Sequence, residues 1–178
     1  NLRDIERTGD IRSYKKDLVD LYVNRDQHSF STQVTDLDNI QNPSIHSLLS
    51  SKYHEAQMHR LNIHAEIPDP VIHNYLTDLD LAVVLGHLMD NAIDGARKAS
   101  EGFISLAYFD EEDCQSFIIE SSIAEEQEPL SMMSTQLPHP EGGIGVNAVQ
   151  DILERYPNTS FSVRSQNHKM MQILEMRP

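Results

Sequence analysis

The sequence predicts an α+β fold, a two-layer sandwich of a mixed β-sheet and helices with a lid beside one helix. Three observations predict it. Helical and strand-like apolar patterns alternate between residues 42 and 176. Two pairs of strand-like stretches each enclose a short polar turn, as in a β-hairpin. The stretch 122–143 has no convincing period, and loops of this length inside a domain usually serve as lids or binding loops.

The first predicted unit covers residues 1–41. Residues 1–25 are charged and helical in period, and residues 26–43 mix polar residues with a narrow apolar stripe at a spacing of three and four. Such stripes need a partner, so we expect a short helical, dimerisation-like segment that packs on itself or on a second copy of the chain. The stripe consists of Phe30, Val34, Leu37 and Ile40.

The second predicted domain covers residues 42–178. Asn42 is a typical N-cap and Pro43 a typical first helical residue, so an amphipathic helix begins here. Thr77 is the expected cap of a longer helix, with Asp80 in the capping-box position. The predicted elements after the first helix are strand 61–67, helix 78–99, strands 103–109 and 114–120, a short helix after the glycines at 142–145, and strands 160–165 and 170–176.

Composition narrows the possible functions. Lys and Arg total 14 against 28 for Asp and Glu, and the net charge of −14 argues against nucleic acid or an anionic membrane surface as the main partner. Cys114 is the single cysteine, which excludes an intramolecular disulfide and fits a reducing compartment. No apolar run approaches the length of a membrane span, and the chain without an initiator methionine reads as a piece of a longer protein.

The helix predicted over 78–99 carries polar side chains beside its apolar stripe. His87, Asn91 and Asp94 lie at i, i+4 and i+7, so they share one face of this helix. The glycine cluster at 142–145 follows about fifty residues later and opens another helical pattern. Because the amide-rich start of a helix is a natural anion site, these two features together indicate a binding site.

The order of these elements resembles the GHKL ATPases, which include histidine kinases, DNA gyrase, mismatch-repair proteins and heat-shock chaperones. The segments MDNAIDGA at 89–96 and NPSIHSLLSSK at 42–52 look most like the histidine kinases that sense peptide pheromones in Gram-positive bacteria. The resemblance spans roughly residues 42–176. It implies a GHKL (Bergerat-type) sandwich that binds ATP and Mg²⁺, with an ATP lid over residues 122–141.

The resemblance also implies roles for individual residues. Asn91 matches the asparagine that binds magnesium, and Asp94 lies on the same nucleotide-facing wall. Ser121 falls where the family has the Asp or Asn that accepts a hydrogen bond from the adenine amino group. His87, the candidate catalytic residue, stands where the family has Asn or Glu. The residues that match the phosphate-binding glycine box are Gly142, Gly143 and Gly145.

Four positions depart from the family pattern. The imidazole of His87 is a softer, single-point ligand than an amide or carboxylate, and Ser121 is shorter than Asp and uncharged. The lid has no Lys or Arg between Ser121 and Gly145, and Gln136 is the nearest match to the family lysine. The segment IRSYKKDLVDL at 11–21 resembles the phosphoacceptor helix, but Lys16 occupies the position of the histidine, and an ammonium group cannot replace imidazole there.

Two functions follow from the resemblance. The first is the cytoplasmic catalytic portion of a two-component sensor histidine kinase, with a weakened Mg-ATP site and no phosphoacceptor histidine at the matched position. The alternative is a pseudokinase that acts as a protein-interaction and dimerisation module without ATP hydrolysis or phosphotransfer. Either form implies a homodimer, a response regulator as partner, and a membrane-embedded sensor N-terminal to this chain. His87 is either a pocket residue or a substituted neighbour with no direct role.

Overall fold

A five-stranded mixed sheet covered by helices makes up the fold in the computed structural model, which describes residues 36–124 and 144–178. The strands lie in the order β1-β2-β3-β5-β4, and the predicted α+β fold is confirmed. The elements are α1 (Pro43–Met58), β1 (Asn62–Glu66), α2 (Asp78–Lys98), β2 (Phe103–Glu111), β3 (Cys114–Ser122), α3 (Ile144–Leu153), β4 (Thr159–Gln166) and β5 (Lys169–Met176).

The two long helices begin where their capping residues predict. The Asn42 side chain accepts hydrogen bonds from the backbone amides of Ser44 at 3.0 Å and Ile45 at 3.2 Å, and Pro43 follows at the start of α1. Thr77 accepts from the amide of Asp80 at 3.3 Å at the start of α2. These side chains satisfy amide groups that have no partner within the helix.

Two hairpins and one parallel pair build the sheet. β1 pairs with β2 in parallel, and α2 is the crossover that joins them. β2 and β3 form one antiparallel hairpin, β4 and β5 form the other, and β3 pairs with β5 to join the two. In the second hairpin Asn167 and His168 have φ angles of 53° and 60°. Positive φ at both turn residues gives the backbone twist that two-residue hairpin turns favour.

The hydrophobic core lies between the sheet and the apolar side of α2. The core side chains of the sheet come mainly from β2, β3 and β5, and one face of α2 is buried against them. Each such side chain contributes about 1.5–3 kcal/mol relative to an exposed one. The main contributors are Leu81, Leu85, Leu88 and Ala92 from α2 and Leu106, Tyr108, Phe117, Ile119 and Leu174 from the sheet.

Leu37 and Ile40 belong to this core. They are 7% and 3% exposed, and the backbone beside them is tied to the segment after β1, where the amide of Gln41 donates to the carbonyl of Val71 at 3.0 Å. The segment after β1 thus supplies backbone partners for this stretch, and the dimerisation expected of residues 1–41 stays a prediction. The rest of the predicted segment, residues 1–35, lies outside the described residues.

A polar cluster ties the start of α2 to the end of α3. Asp80 is 8% exposed, and its carboxylate accepts from Tyr156 Oη at 2.6 Å and from Arg155 at 2.8 Å. The hydrogen bond from Tyr156 is the main reason that the pKa of Asp80 lies below its ordinary value. One half of the predicted capping box forms, the bond from the Asp80 amide to the Thr77 side chain. The amide of Thr77 donates to the Tyr156 hydroxyl at 3.3 Å.

No helix within residues 36–124 and 144–178 combines the length and the apolar character needed to cross a bilayer.

Tyr156→Phe is expected to lower the melting temperature at neutral pH, and the loss should shrink as the pH falls. The pKa of Asp80 is lower in the folded protein than in the unfolded chain, where it is about 3.9. Its contribution to stability is therefore present above about pH 4 and is lost as the pH falls through the folded pKa. Thermal unfolding followed by circular dichroism between about pH 3 and about pH 7 measures this.

Tyr108→Phe is the matched control. It removes a buried hydroxyl that donates to the neutral amide of Gln115 at 3.3 Å, so its loss of stability should not vary with pH across this range. An effect of Tyr156→Phe that is equally large at both ends of the range would contradict the role given to Asp80.

Gly102→Ala is expected to destabilise the protein by about 1–3 kcal/mol, because overpacking forces neighbours to move. A Cβ atom at Gly102 would overlap Leu61 Cδ2 and lie 2.9 Å from the carbonyl oxygen of Ala96. In Gly86→Ala, by contrast, the nearest atom is Leu48 Cδ1 at 3.8 Å, and the change should stabilise α2 by about 0.5–1 kcal/mol. Urea unfolding of both variants measures the difference, and equal stabilities would refute this account of Gly102.

Candidate functional site

The polar edge of α2 forms one wall of the candidate site. Asn91 and Asp94 are exposed, and His87 and Asp90 are half-buried. The positions of His87, Asn91 and Asp94 bring all three to one face of the helix, while Leu88 and Ala92 on the other side lie in the core. Burial of the apolar side fixes the rotation of α2 about its axis, so the polar edge is held in one direction.

Gln172 lies behind this wall and was not singled out from the sequence. Its side chain is 1% exposed, its Nε2 donates to the carbonyl oxygen of Leu88 at 3.0 Å, and Asn91 Nδ2 donates to its Oε1 at 3.5 Å. The alternation of side chains along β5 could have identified it, because Gln172 lies two and four residues before the buried Leu174 and Met176 and so shares their side of the strand. A polar residue at an inward strand position needs a partner in the core.

Lys52 of α1 contacts Asp90 of α2, the residue before Asn91. The sequence pattern did not predict this contact either. The Nζ of Lys52 lies 2.5 Å from Asp90 Oδ1 and 2.8 Å from Glu55 Oε2. Burial alone would lower the pKa of Lys52, but the hydrogen bonds to the two carboxylates outweigh it and raise the pKa. The hydrogen bond from Lys52 likewise lowers the pKa of Glu55. Asp90 is thus engaged by a cation on the neighbouring helix.

Ser121 lies at the end of β3, facing α2. It is fully buried, and among the described residues its Oγ is the only buried side-chain polar atom with no hydrogen-bond partner. A Cβ atom at Gly95 would approach Ile123 Cγ2 to 3.3 Å and Ser121 Oγ to 4.0 Å, so Gly95 lies next to the hydroxyl. An unpaired buried hydroxyl costs about 1–3 kcal/mol, a cost that a bound hydrogen-bonding group would remove.

The glycine cluster is described only at its last member. Gly145 lies in the first turn of α3. Gly142, Gly143, Gln136 and the remainder of the predicted lid beyond Ala124 lie outside the described residues, as does Lys16.

Cation ligands in the described ranges are few. No three His, Cys, Asp or Glu side chains within 36–124 and 144–178 converge into a metal-binding cluster. The amide oxygen of exposed Asn91 is a hard ligand of the kind that Mg²⁺ takes. Mg²⁺ usually keeps waters and binds through few protein groups together with phosphates, and one amide on an exposed edge fits that pattern.

Solved structures of histidine kinases share this fold. The catalytic domain of histidine kinase ThkA matches with a TM-score of 0.61 at 14% identity, over 76% of this chain and 90% of that chain. Histidine kinase AdeS from Acinetobacter baumannii matches with a TM-score of 0.56 at 18% identity, over 75% of this chain and 62% of that chain. The cytoplasmic segment of histidine kinase QseC matches with a TM-score of 0.52 at 16% identity, over 97% of this chain and 92% of that chain.

A sequence profile places the chain among known domains. No curated protein sequence matches it. The profile of the GHKL domain matches residues 76–177, which is more than half of the chain and runs from the start of α2 to the end of β5. The matched region contains the polar edge of α2, Ser121 and Gln172. The chain therefore belongs to the GHKL domain family.

Proposed function

We propose that this chain is the cytoplasmic catalytic portion of a two-component sensor histidine kinase, of the type that senses peptide pheromones in Gram-positive bacteria, and that it binds Mg-ATP along α2. The observation that carries the proposal is the buried, unpaired hydroxyl of Ser121 beside Gly95. A hydroxyl oxygen accepts a hydrogen bond from an amino group, which is the role that the family gives to the residue at this position.

The other site residues have roles along the same wall. The Asn91 side-chain oxygen would hold Mg²⁺, which when bound neutralises the charge of the phosphates. Asp94, one turn further on, would line the nucleotide. The backbone amides near Gly142, Gly143 and Gly145 would hold the phosphates, since the start of α3 provides free N–H groups and a favourable dipole.

We propose that His87 is the catalytic residue of a weakened site. It precedes Asn91 by one helical turn, where the family has Asn or Glu, and its imidazole offers a single softer atom in their place. Ser121 offers one uncharged oxygen where the family has Asp or Asn. Each substitution reduces the electrostatic stabilisation on which phosphoryl transfer depends.

The substitutions at His87, Ser121 and Lys16 favour an alternative to the active kinase. The chain would then be a pseudokinase that keeps the fold, dimerises and acts by protein contacts. In either form we propose a homodimer with a response regulator as partner. The phosphoacceptor of an active form would lie on another chain or in a part of the parent protein outside this segment.

Mg-ATP at millimolar concentration is expected to raise the melting temperature of the chain, and Asn91→Ala should abolish the rise. A ligand that binds only the folded state stabilises it by about 2.7 kcal/mol when its concentration is a hundredfold above Kd. Differential scanning fluorimetry with ATP and Mg²⁺ measures the shift.

Leu79→Ala provides the control for this experiment. Leu79 lies in the first turn of α2 and is 75% exposed, away from the polar edge, so the variant should keep the full shift. The absence of a shift in the unchanged chain with any adenine nucleotide would reject the nucleotide site.

Incubation with γ-labelled ATP is expected to leave no acid-labile label on the unchanged chain, because Lys16 stands in place of the phosphoacceptor histidine. Lys16→His should gain label if the kinase function is retained, and the double variant with Asn91→Ala should lose it again. Nucleotide binding without label on Lys16→His would favour the pseudokinase. Acid-labile label on the unchanged chain would refute the assignment of Lys16.

A further inference from the structure

We infer that Gln172 is a positioning residue that sets the direction of the Asn91 amide and so presents the Asn91 oxygen to the cation of a bound nucleotide. The inference rests on the proposed function and adds to it a residue from β5, which packs against α2 from the sheet. It is carried by two hydrogen bonds, one from Gln172 to Leu88 and one from Asn91 to Gln172.

The first bond fixes Gln172. Its amide nitrogen lies 3.0 Å from the carbonyl oxygen of Leu88, within α2. A backbone carbonyl only accepts, and with two lone pairs it can serve a side chain as well as its helical partner. The NH₂ end of Gln172 must therefore face Leu88. In a core where the side chain is 1% exposed, water offers no competing partner, so the amide has one favourable orientation.

The second bond sets the orientation of the Asn91 side-chain amide. With its NH₂ group turned to Leu88, Gln172 presents Oε1 to Asn91, and this oxygen only accepts. Asn91 therefore turns Nδ2 toward the sheet, at a distance of 3.5 Å. Its Oδ1 is then the amide atom directed away from the sheet. A flipped Asn91 would face oxygen with oxygen and would offer an NH₂ group to a cation, which binds oxygen.

The length of the second bond defines its role. A separation of 3.5 Å is long for a hydrogen bond, so this contact adds little to the stability of the fold. Its effect is directional, because a reversed Asn91 amide would place its own oxygen against the oxygen of Gln172. Partners that orient a metal ligand in this way typically change metal affinity by about 10- to 100-fold when they are removed.

Gln115 supplies a matched control within the same sheet. It is also fully buried and faces the helices, its Nε2 donates to the backbone carbonyl of His73 at 2.5 Å, and its Oε1 accepts from the Tyr108 hydroxyl at 3.3 Å. The two glutamines differ in their partners, since Gln115 lies four residues along β3 from the strand partner of Gln172 and its hydrogen bonds join His73 and Tyr108, not α2.

The test compares Gln172→Met with Gln115→Met in the full chain, by calorimetric titration with ATP in Mg²⁺ and again in EDTA. Both variants should lose thermal stability. Only Gln172→Met should lose affinity for Mg-ATP, by about tenfold, with little change in the affinity for ATP in EDTA. Equal losses in Mg²⁺ and in EDTA, or the same loss in Gln115→Met, would overturn the inference.

A second measurement tests the orientation without nucleotide. The side-chain NH₂ signals of Asn91, assigned in ¹⁵N spectra by their absence from Asn91→Ala, should show a nuclear Overhauser contact with the Gln172 side chain and should shift in Gln172→Met but not in Gln115→Met. If the NH₂ signals of Asn91 do not shift in Gln172→Met, the orienting role is refuted. If the unchanged chain binds no nucleotide while these signals behave as expected, the proposed function and the cation part of this inference fail, and the orienting contact stands.

Discussion

The burial of one face of α2 between the sheet and the other helices is the constraint on which the rest of the structure depends. That helix joins the only parallel pair of strands among the described residues, and its apolar side meets the central strands. A helix held in this way cannot rotate without exposing Leu85 and Leu88, so the direction of its polar edge is set by the core. The site residues are thereby positioned by packing, before any ligand contributes.

Polar contacts then locate α2 along its length. Asp80 holds its start against the end of α3, Lys52 links it to α1 through Asp90, and Gln172 links its middle to β5. Each contact joins α2 to a different element and each involves a charge or a buried amide. Hydrophobic burial is not directional. These bonds therefore fix the position of α2 along its axis, which the core alone does not determine.

The sequence alone was sufficient for the fold and for the polar edge of α2, because both depend on periodicity within short windows. Asn42 and Thr77 marked the helix starts, and the strand-like apolar patterns marked the two hairpins. The contacts of Gln172 and Lys52 were not predictable in this way, since Gln172 and its partner Leu88 lie 84 positions apart. The position of the unpaired Ser121 hydroxyl likewise depends on β3 ending beside Gly95, a juxtaposition that no local pattern encodes.

The turn of the second hairpin has a consequence for the opening of the domain. His168 holds a left-handed backbone conformation without being glycine, and its carbonyl accepts the amide of Ile123, the first residue after β3, at 2.9 Å. The energetic cost of that conformation is of order 1–3 kcal/mol and falls on the β4–β5 hairpin. The hairpin and the exit from β3 are thus joined by this bond, so the backbone hydrogen bond at the start of the predicted lid should break when the hairpin frays, while α2 stays folded.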